Sequence, residues 1–117
     1  MNTINEIAAR LSSLCEKHEF LQAYEELFSD HAESIDPMNK NVPMSGRAAL
    51  MERERQFLEN TEIHDLKVAD PSFAGNYFSV TMSFDFTPKG QERRKIEELC
   101  VYKVEYGKIV SQQFFIG

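Results

Sequence analysis

Cysteine and long apolar runs are scarce in this sequence, and both absences exclude classes of protein. The two cysteines, Cys15 and Cys100, lie in regular segments and not in a spaced framework, so we expect free thiols and no disulfide scaffold. No segment approaches the length of a membrane span, and the first residues lack the basic start and apolar stretch of a signal peptide. We therefore expect a soluble, cytoplasmic protein with no membrane partner.

Positive charge is also scarce. The chain has 13 Lys and Arg against 19 Asp and Glu, a formal net charge of -6. The longest basic run is Arg93-Arg94-Lys95. This balance would repel a phosphate backbone, so we expect no nucleic-acid partner. The three histidines are too scattered for a metal triad, and we predict neither a metal nor a cofactor.

The amount of apolar material suits one core. A chain of 117 residues falls in the usual range for a single domain and is too short for two. Nine Phe and four Tyr supply much of the interior. No linker, repeat or low-complexity tract divides the chain, and we predict a single domain over residues 1–117.

Helical periodicity is confined to the first half of the chain. Thr3 and Glu6 have the spacing of a capping box, and apolar residues then recur at three- and four-residue steps over about 3–17. The same rhythm predicts a second helix over about 20–29. A third helix is expected to begin after Ser45, as its N-cap, and to end near residue 60.

Strand patterns occupy the second half, after one short strand in the first. That short strand is expected over 32–36, because Pro37 pushes Asp36 toward extended backbone. From residue 62 onward apolar residues alternate with polar ones, most clearly in Tyr77–Phe86. Segregated helices and strands predict an α+β fold, with three helices packed on one face of a curved, mostly antiparallel sheet. The later strands are expected over residues 62–68, 77–86, 92–106 and 109–116.

Four segments carry a family resemblance by their order and spacing. They are Tyr24–Ala32, Ile35-Asp36-Pro37, Ser45–Leu50 and Gly107–Ser111. In these segments the chain resembles the nuclear transport factor 2-like superfamily, which includes ketosteroid isomerase and SnoaL-like polyketide cyclases. The resemblance implies a cone of the cystatin-like α+β barrel type with a central pocket. It also implies a homodimer formed through the outer face of the sheet, here bearing Tyr77, Ser79 and Thr81.

The resemblance also suggests site residues. Asp36 lies where ketosteroid isomerase has its general base, so it is the catalytic candidate. The strand faces that the resemblance turns into the cone, together with the third helix, give the expected pocket lining. These residues are Arg53, Phe57, Met82, Phe84, Glu98, Cys100, Tyr102, Gln112 and Phe114.

The sequence departs from the isomerase at its two oxyanion donors, since Ser12 and Cys100 stand where a Tyr and an Asp belong. Steroid isomerisation is therefore not expected. We predict instead a pocket for a small, mostly apolar organic ligand, with proton transfer by Asp36 as one use of it. The alternative is a non-catalytic dimeric binding or protein-association module whose aromatic residues fill the core. In that case Asp36 only caps the following turn, and Arg53 lies on a solvated side of its helix.

Overall fold

The computed structural model describes residues 2–117, and its first half contains three helices. They are α1 (Ile4–Glu16), α2 (Phe20–Leu27) and α3 (Arg47–Glu59). The predicted capping box is present at the start of α1. The Glu6 backbone N–H donates to Thr3 Oγ1, and the Thr3 backbone N–H donates to Glu6 Oε1 at 2.9 Å. Within residues 2–117 no helix combines the length and apolarity needed to cross a membrane.

Seven strands form one sheet within the described residues 2–117. They are β1 (Phe28–Ile35), β2 (Met44–Ser45), β3 (Thr61–Val68), β4 (Ser72–Ala74), β5 (Tyr77–Pro88), β6 (Arg94–Glu105) and β7 (Lys108–Ile116). In spatial order they run β2-β1-β7-β6-β5-β3, with β4 paired to β5 beside this path. All neighbours are antiparallel except β1 and β7, which are parallel. The predicted α+β class with three helices on a mostly antiparallel sheet is confirmed; the sheet stays open, with β2 and β3 at its two edges.

The predicted alternation along β5 separates a covered face from an outer face. Phe78, Val80 and Met82 are buried, whereas Tyr77 and Thr81 between and beside them are exposed. Strand β6 continues the covered face next to β5, because Cys100 pairs with Val80 and Tyr102 with Phe78. Helix α1 packs its apolar side on the same core. That side comprises Ile7, Ala8, Leu11, Leu14 and Cys15.

The junction between α2 and β1 differs from the prediction. The helix ends at Leu27 and the strand begins at Phe28, four residues before the expected start. Phe28 is 2% exposed and pairs with Ile109 of β7. A residue buried at this junction satisfies both the helical and the strand pattern, so periodicity alone does not locate the change.

The predicted N-cap of α3 is wrong. Ser45 is the last residue of β2 and pairs with Glu33, while Gly46 takes the cap position at a φ of 100°. The Gly46 N–H donates to the Ala32 carbonyl at 2.9 Å. Strand pairing thus holds Ser45 in extended backbone, and the turn into the helix is made by the residue that tolerates positive φ.

Candidate functional site

A cavity of about 450 Å³ lies between the helices and the covered face of the sheet. This volume falls within the range of small-molecule sites, about 300–1,000 Å³. Its wall is mostly apolar and rich in aromatic side chains, with a few polar groups. The apolar lining is Leu11, Cys15, Phe20, Ala23, Tyr24, Phe28, Met38, Met44, Phe57, Leu66, Met82, Phe84, Phe86, Ile96, Tyr102, Phe114 and Ile116; the polar lining is Asp36, Asn39, Arg53, Glu54, Arg94, Glu98 and Gln112.

The cavity opens at the end of the sheet where β6 begins and β7 ends. Met38 and Ile116 are the most exposed of its apolar lining residues, at 67% and 39%. Arg94 is also exposed there, with its guanidinium 5.6 Å from the centre of the Phe86 ring. The opposite, closed end is bounded by buried side chains such as Phe28 and Tyr102.

The sequence-predicted residues converge on this one cavity with a single exception. Asp36 and the expected lining residues from Arg53 to Phe114 all contact it, apart from Cys100. Cys100 lies on the expected face of β6 but is 0% exposed. Its short side chain is covered by its neighbours and does not reach the cavity, so the prediction that it lines the pocket is wrong.

Neither cysteine is suited to nucleophilic chemistry. Cys15 does line the cavity, but burial raises the pKa of its thiol to about 12. Burial also raises the pKa of Cys100 above its ordinary value. Since the thiolate is the reactive form, both thiols stay protonated and inert near neutral pH.

Asp36 combines two of the predicted roles. Its backbone is extended, as Pro37 requires, and its Oδ1 accepts a hydrogen bond of 2.8 Å from the Met38 N–H at the start of the short 3-10 turn Pro37–Asn39. The same carboxylate contributes to the cavity wall. The hydrogen bond fixes the position of Oδ1, and with it the orientation of the carboxylate. Asp36 is thus a turn cap and a cavity acid at once.

A polar cluster of three buried residues, Tyr24, Ser34 and Gln112, and the half-buried Arg53 joins α2, β1, α3 and β7. Gln112 Nε2 donates to Tyr24 Oη at 2.9 Å and to Ser34 Oγ at 3.0 Å. Arg53 Nη2 donates to Ser34 Oγ at 2.9 Å. Burial raises the pKa of the Tyr24 hydroxyl above its ordinary value, against a smaller opposing effect of Gln112 and Arg53. Arg53 therefore points inward, and its solvated alternative is wrong.

Two further carboxyl groups face the cavity from opposite sides. Glu54 projects from α3 and Glu98 from β6. Burial is the main cause that raises the pKa of each to about 7, and the negative charge of Asp36 adds to it in both cases. The Arg53 charge lowers the pKa of Glu54 in part, and Glu54 itself raises that of Glu98. Near neutral pH each therefore spends much of its time protonated, so it can donate as well as accept a proton.

Glu54, Tyr24 and Ser34 were missed as parts of the site. From α3 the sequence placed Arg53 and Phe57 in the cavity wall, and Glu54 lines it as well. The burial of Ser34, at 0% exposure, follows from the alternation of β1 once the strand is known to begin at Phe28. Tyr24 has the helical spacing of a core residue, and nothing in the pattern indicates its polar partner.

The two positions at which the isomerase has its oxyanion donors do not contribute to the cavity. Ser12 and Cys100, which replace the two oxyanion donors, are both absent from the cavity wall. The Ser12 hydroxyl is buried without a hydrogen-bond partner among the described residues. The donors that do face the cavity come from other positions, chiefly the cluster around Arg53.

Together, three helices on an open curved sheet and a central cavity define a domain of the nuclear transport factor 2-like class. Within that class the SnoaL-like domain family matches residues 2–116, and the chain belongs to this family. No curated protein matches the sequence.

Solved structures agree with this assignment. A candidate SnoaL-like polyketide cyclase from Mesorhizobium loti is 31% identical, with a TM-score of 0.87, over 97% of this chain and 98% of that one. A Catenulispora acidiphila protein with a ketosteroid isomerase-like fold, in complex with trimethylamine, is 16% identical, with a TM-score of 0.78, over 97% and 86%. An NTF2-like protein of unknown function from Cytophaga hutchinsonii is 17% identical, with a TM-score of 0.68, over 100% and 92%. At these last two identities the likeness concerns the fold alone.

Proposed function

We propose that this protein binds a small, mostly apolar organic molecule in the central cavity and transfers a proton on it without a cofactor, with Asp36 as the base. The observation that carries the proposal is the cavity of about 450 Å³, lined by aromatic side chains and by a few polar groups. Apolar contacts of this kind supply affinity, while a small number of polar groups fix the orientation of a ligand.

The arrangement of carboxyl groups supports proton transfer. Asp36 is held by the Met38 N–H and lines the cavity. Glu54 and Glu98, with pKa values of about 7, can return a proton to another atom of the same ligand. A base and an acid that face one mostly apolar cavity are the elements of an isomerisation, cyclisation or dehydration.

One relative supports the same kind of use. The Mesorhizobium loti protein, 31% identical to this chain, carries the name of a polyketide cyclase. A self-filled core was the basis of the non-catalytic alternative, and the empty volume favours a ligand-binding domain over it.

Binding is tested with a panel of small aromatic and aliphatic compounds, followed by two-dimensional NMR of the backbone amides. We expect shifts to concentrate on residues that line the cavity. Ala23→Leu, which adds a side chain at a lining position that is 3% exposed, should weaken this binding at least about tenfold by filling space. Ala74→Leu on the exposed strand β4 is the matched control. Shifts confined to the outer surface would contradict a cavity ligand.

Base catalysis is tested with 5-nitrobenzisoxazole, an apolar probe whose ring opens when a single proton is removed. We expect the protein to accelerate the opening and Asp36→Asn to lower the rate at least about a hundredfold, the lower end of the effect of a general base. Glu98→Gln is the comparison variant within the same cavity. Equal rates for Asp36→Asn and the unaltered protein would show that Asp36 is not the base.

We also propose that two copies associate through the outer face of the sheet. Leu99 of β6 and Phe115 of β7 are directly opposite each other in register and are 42% and 48% exposed. Thr81 of β5 pairs with Leu99 on its other side. An exposed apolar row of this kind on the outer face of a sheet is a common basis for self-association. The dimer is independent of the cavity chemistry.

A further inference from the structure

Arg53 is half-buried and is the inner of the two arginines that line the cavity, and its hydrogen bonds are incomplete. Its Nη2 donates to Ser34 Oγ at 2.9 Å, but its Nη1 is buried without a partner among the described residues. No carboxylate in residues 2–117 forms an ion pair with it. A buried guanidinium nitrogen without an acceptor is costly, because buried polar and charged groups are normally paired.

The cluster around Arg53 has more donors than acceptors. Arg brings about five N–H groups, Gln two, and Tyr and Ser one each. Ser34 Oγ already accepts from both Arg53 and Gln112, and Tyr24 Oη accepts from Gln112. Turning the Gln112 amide over does not change this balance, because its N–H groups then need acceptors elsewhere. The wall is therefore complementary to a ligand that presents oxygen acceptors.

We infer that Arg53 binds the carboxylate of an apolar monocarboxylic acid whose body fills the aromatic part of the cavity. The inference rests on the proposed function and names its ligand class. A carboxylate supplies both the missing counter-charge and an acceptor for Nη1, and it suits the planar guanidinium better than a single neutral oxygen does. The apolar body of the ligand would contact Phe57 and Phe84, which pack against each other with ring centres 5.9 Å apart.

The cavity acids accommodate an anion when they are protonated. Glu54 and Glu98 have pKa values of about 7, raised by burial first and by neighbouring carboxylates second. A bound carboxylate stabilises their protonated forms further, so binding takes up protons and affinity falls as pH rises through about 7. A cationic ligand would show the opposite dependence. The ionisable groups that face the cavity are Cys15, Tyr24, Asp36, Arg53, Glu54, Arg94, Glu98 and Tyr102.

The test uses three probes with one carbon skeleton: 4-phenylbutyrate, 4-phenylbutanamide and 4-phenylbutylamine. Isothermal titration calorimetry at pH 6 and pH 8 gives the affinity of each for the unaltered protein. We expect the carboxylate to bind at least about tenfold more tightly than the amide at pH 6, as a charge-assisted hydrogen bond predicts. We also expect its affinity to be lower at pH 8.

Variants separate Arg53 from general electrostatic attraction. Arg53→Gln should remove the preference for the carboxylate over the amide, while Arg53→Lys, which keeps the charge without the planar fork, should retain part of it. Arg94→Gln removes the other cavity arginine, which is exposed at the opening, and should retain the preference. Even if Arg53→Gln fails to fold, the three probes on the unaltered protein show whether the cavity prefers a carboxylate to an amide or an amine.

The outcomes distinguish this inference from the function on which it rests. Equal binding of the carboxylate and the amide, tighter binding of the amine, or an unchanged preference in Arg53→Gln would overturn the carboxylate assignment and leave the cavity as a ligand site. Binding of none of the probes, and of none of the wider panel, would overturn both. If Arg94→Gln lost the preference for the carboxylate over the amide and Arg53→Gln kept it, the anion would lie at the opening. That result would also overturn the assignment to Arg53.

Discussion

Gln112 of β7 donates a hydrogen bond of 2.9 Å to the hydroxyl of Tyr24 on α2. Both side chains are buried, at 2% and 6% exposure, and Gln112 also donates to Ser34 of β1. One amide thus ties the helical layer to two neighbouring strands beneath it. The same contact lies in the wall of the cavity, so the stability of the fold and the shape of the site depend on it together.

Gln112→Leu should destabilise the protein by about 1–3 kcal/mol, because it leaves the Tyr24 and Ser34 hydroxyls buried without this partner. Urea denaturation followed by circular dichroism measures the loss. Gln113→Leu, at the next position and less buried, is the matched control and should change stability by less than about 0.5 kcal/mol. Equal losses at the two positions would mean that the amide contacts contribute nothing specific.

Stability should fall as pH rises, through Glu98. Its folded-state pKa of about 7 lies above the ordinary value of 4.5, so between these values the folded protein binds more protons than the unfolded chain. The contribution to stability is therefore fully present below about pH 4.5, decreases up to about pH 7, and stays low above it. Glu54, whose pKa is also about 7, acts in the same direction.

Glu98→Gln should remove part of this dependence. We expect the variant to be more stable than the unaltered protein at pH 8 by about 1–2 kcal/mol, less than complete burial would give, since the side chain faces the cavity. At pH 4.5 the difference should nearly disappear. Urea titrations at both pH values measure it, with Glu97→Gln on the exposed outer face as the control. A variant that is less stable at pH 8 would show that the ionised Glu98 has a partner in the fold.

Leu99→Glu should dissociate the proposed dimer. A charge at the centre of the Leu99 and Phe115 row is expected to raise the dimer dissociation constant at least about tenfold. Sedimentation equilibrium measures it, and Tyr106→Glu at the tip of the β6–β7 hairpin, where the side chain is 97% exposed, is the control. An unaltered protein that sediments as a monomer would refute the dimer, and so would a Leu99→Glu variant that remains dimeric.

Gly46→Ala tests the turn that begins α3. Gly46 has a φ of 100°, and a Cβ added there has no atom within 4 Å, so the substitution should act through backbone strain alone. We expect a loss of about 1–3 kcal/mol in the free energy of unfolding. Gly117→Ala, where the backbone is ordinary and the space is also open, should be neutral. A neutral Gly46→Ala would mean that the turn relaxes to another conformation.

The sequence predicted most of the architecture because periodicity reports burial. The alternation of Tyr77–Phe86 and the spacing of Ile7, Leu11 and Leu14 each record which side of an element is covered, and both are confirmed. Periodicity did not locate the boundary between α2 and β1, because Phe28 fits both a helical and a strand pattern. It also failed for short pairings such as β2, whose two residues have too little pattern to be recognised.

The site was less accessible to the same reasoning. Strand alternation put Glu98 and Tyr102 on one face of their strand, and the resemblance turned that face and Gln112 toward the cone. All three residues line the cavity. Strand alternation and the resemblance assigned Cys100 to that wall as well, because a face does not reveal how far a short side chain reaches. The direction of Arg53 and Glu54 depends on the crossing of α3 over β1, and the hydrogen bonds among Tyr24, Ser34 and Gln112 join residues far apart in the chain. The local spacing of residues predicts neither these side-chain directions nor these hydrogen bonds.

The parallel pairing of β1 with β7 has a consequence for biosynthesis. Phe28 and Ile109 lie side by side in the sheet although about 80 positions separate them in the chain. During translation β1 is synthesised long before β7, so the edge of β1 that pairs with β7 has no partner in the meantime. On its other edge β2 pairs with only two residues of β1. Nascent chains stalled before β7 should therefore bind chaperones and aggregate. The chain should become compact abruptly once β7 has left the ribosome.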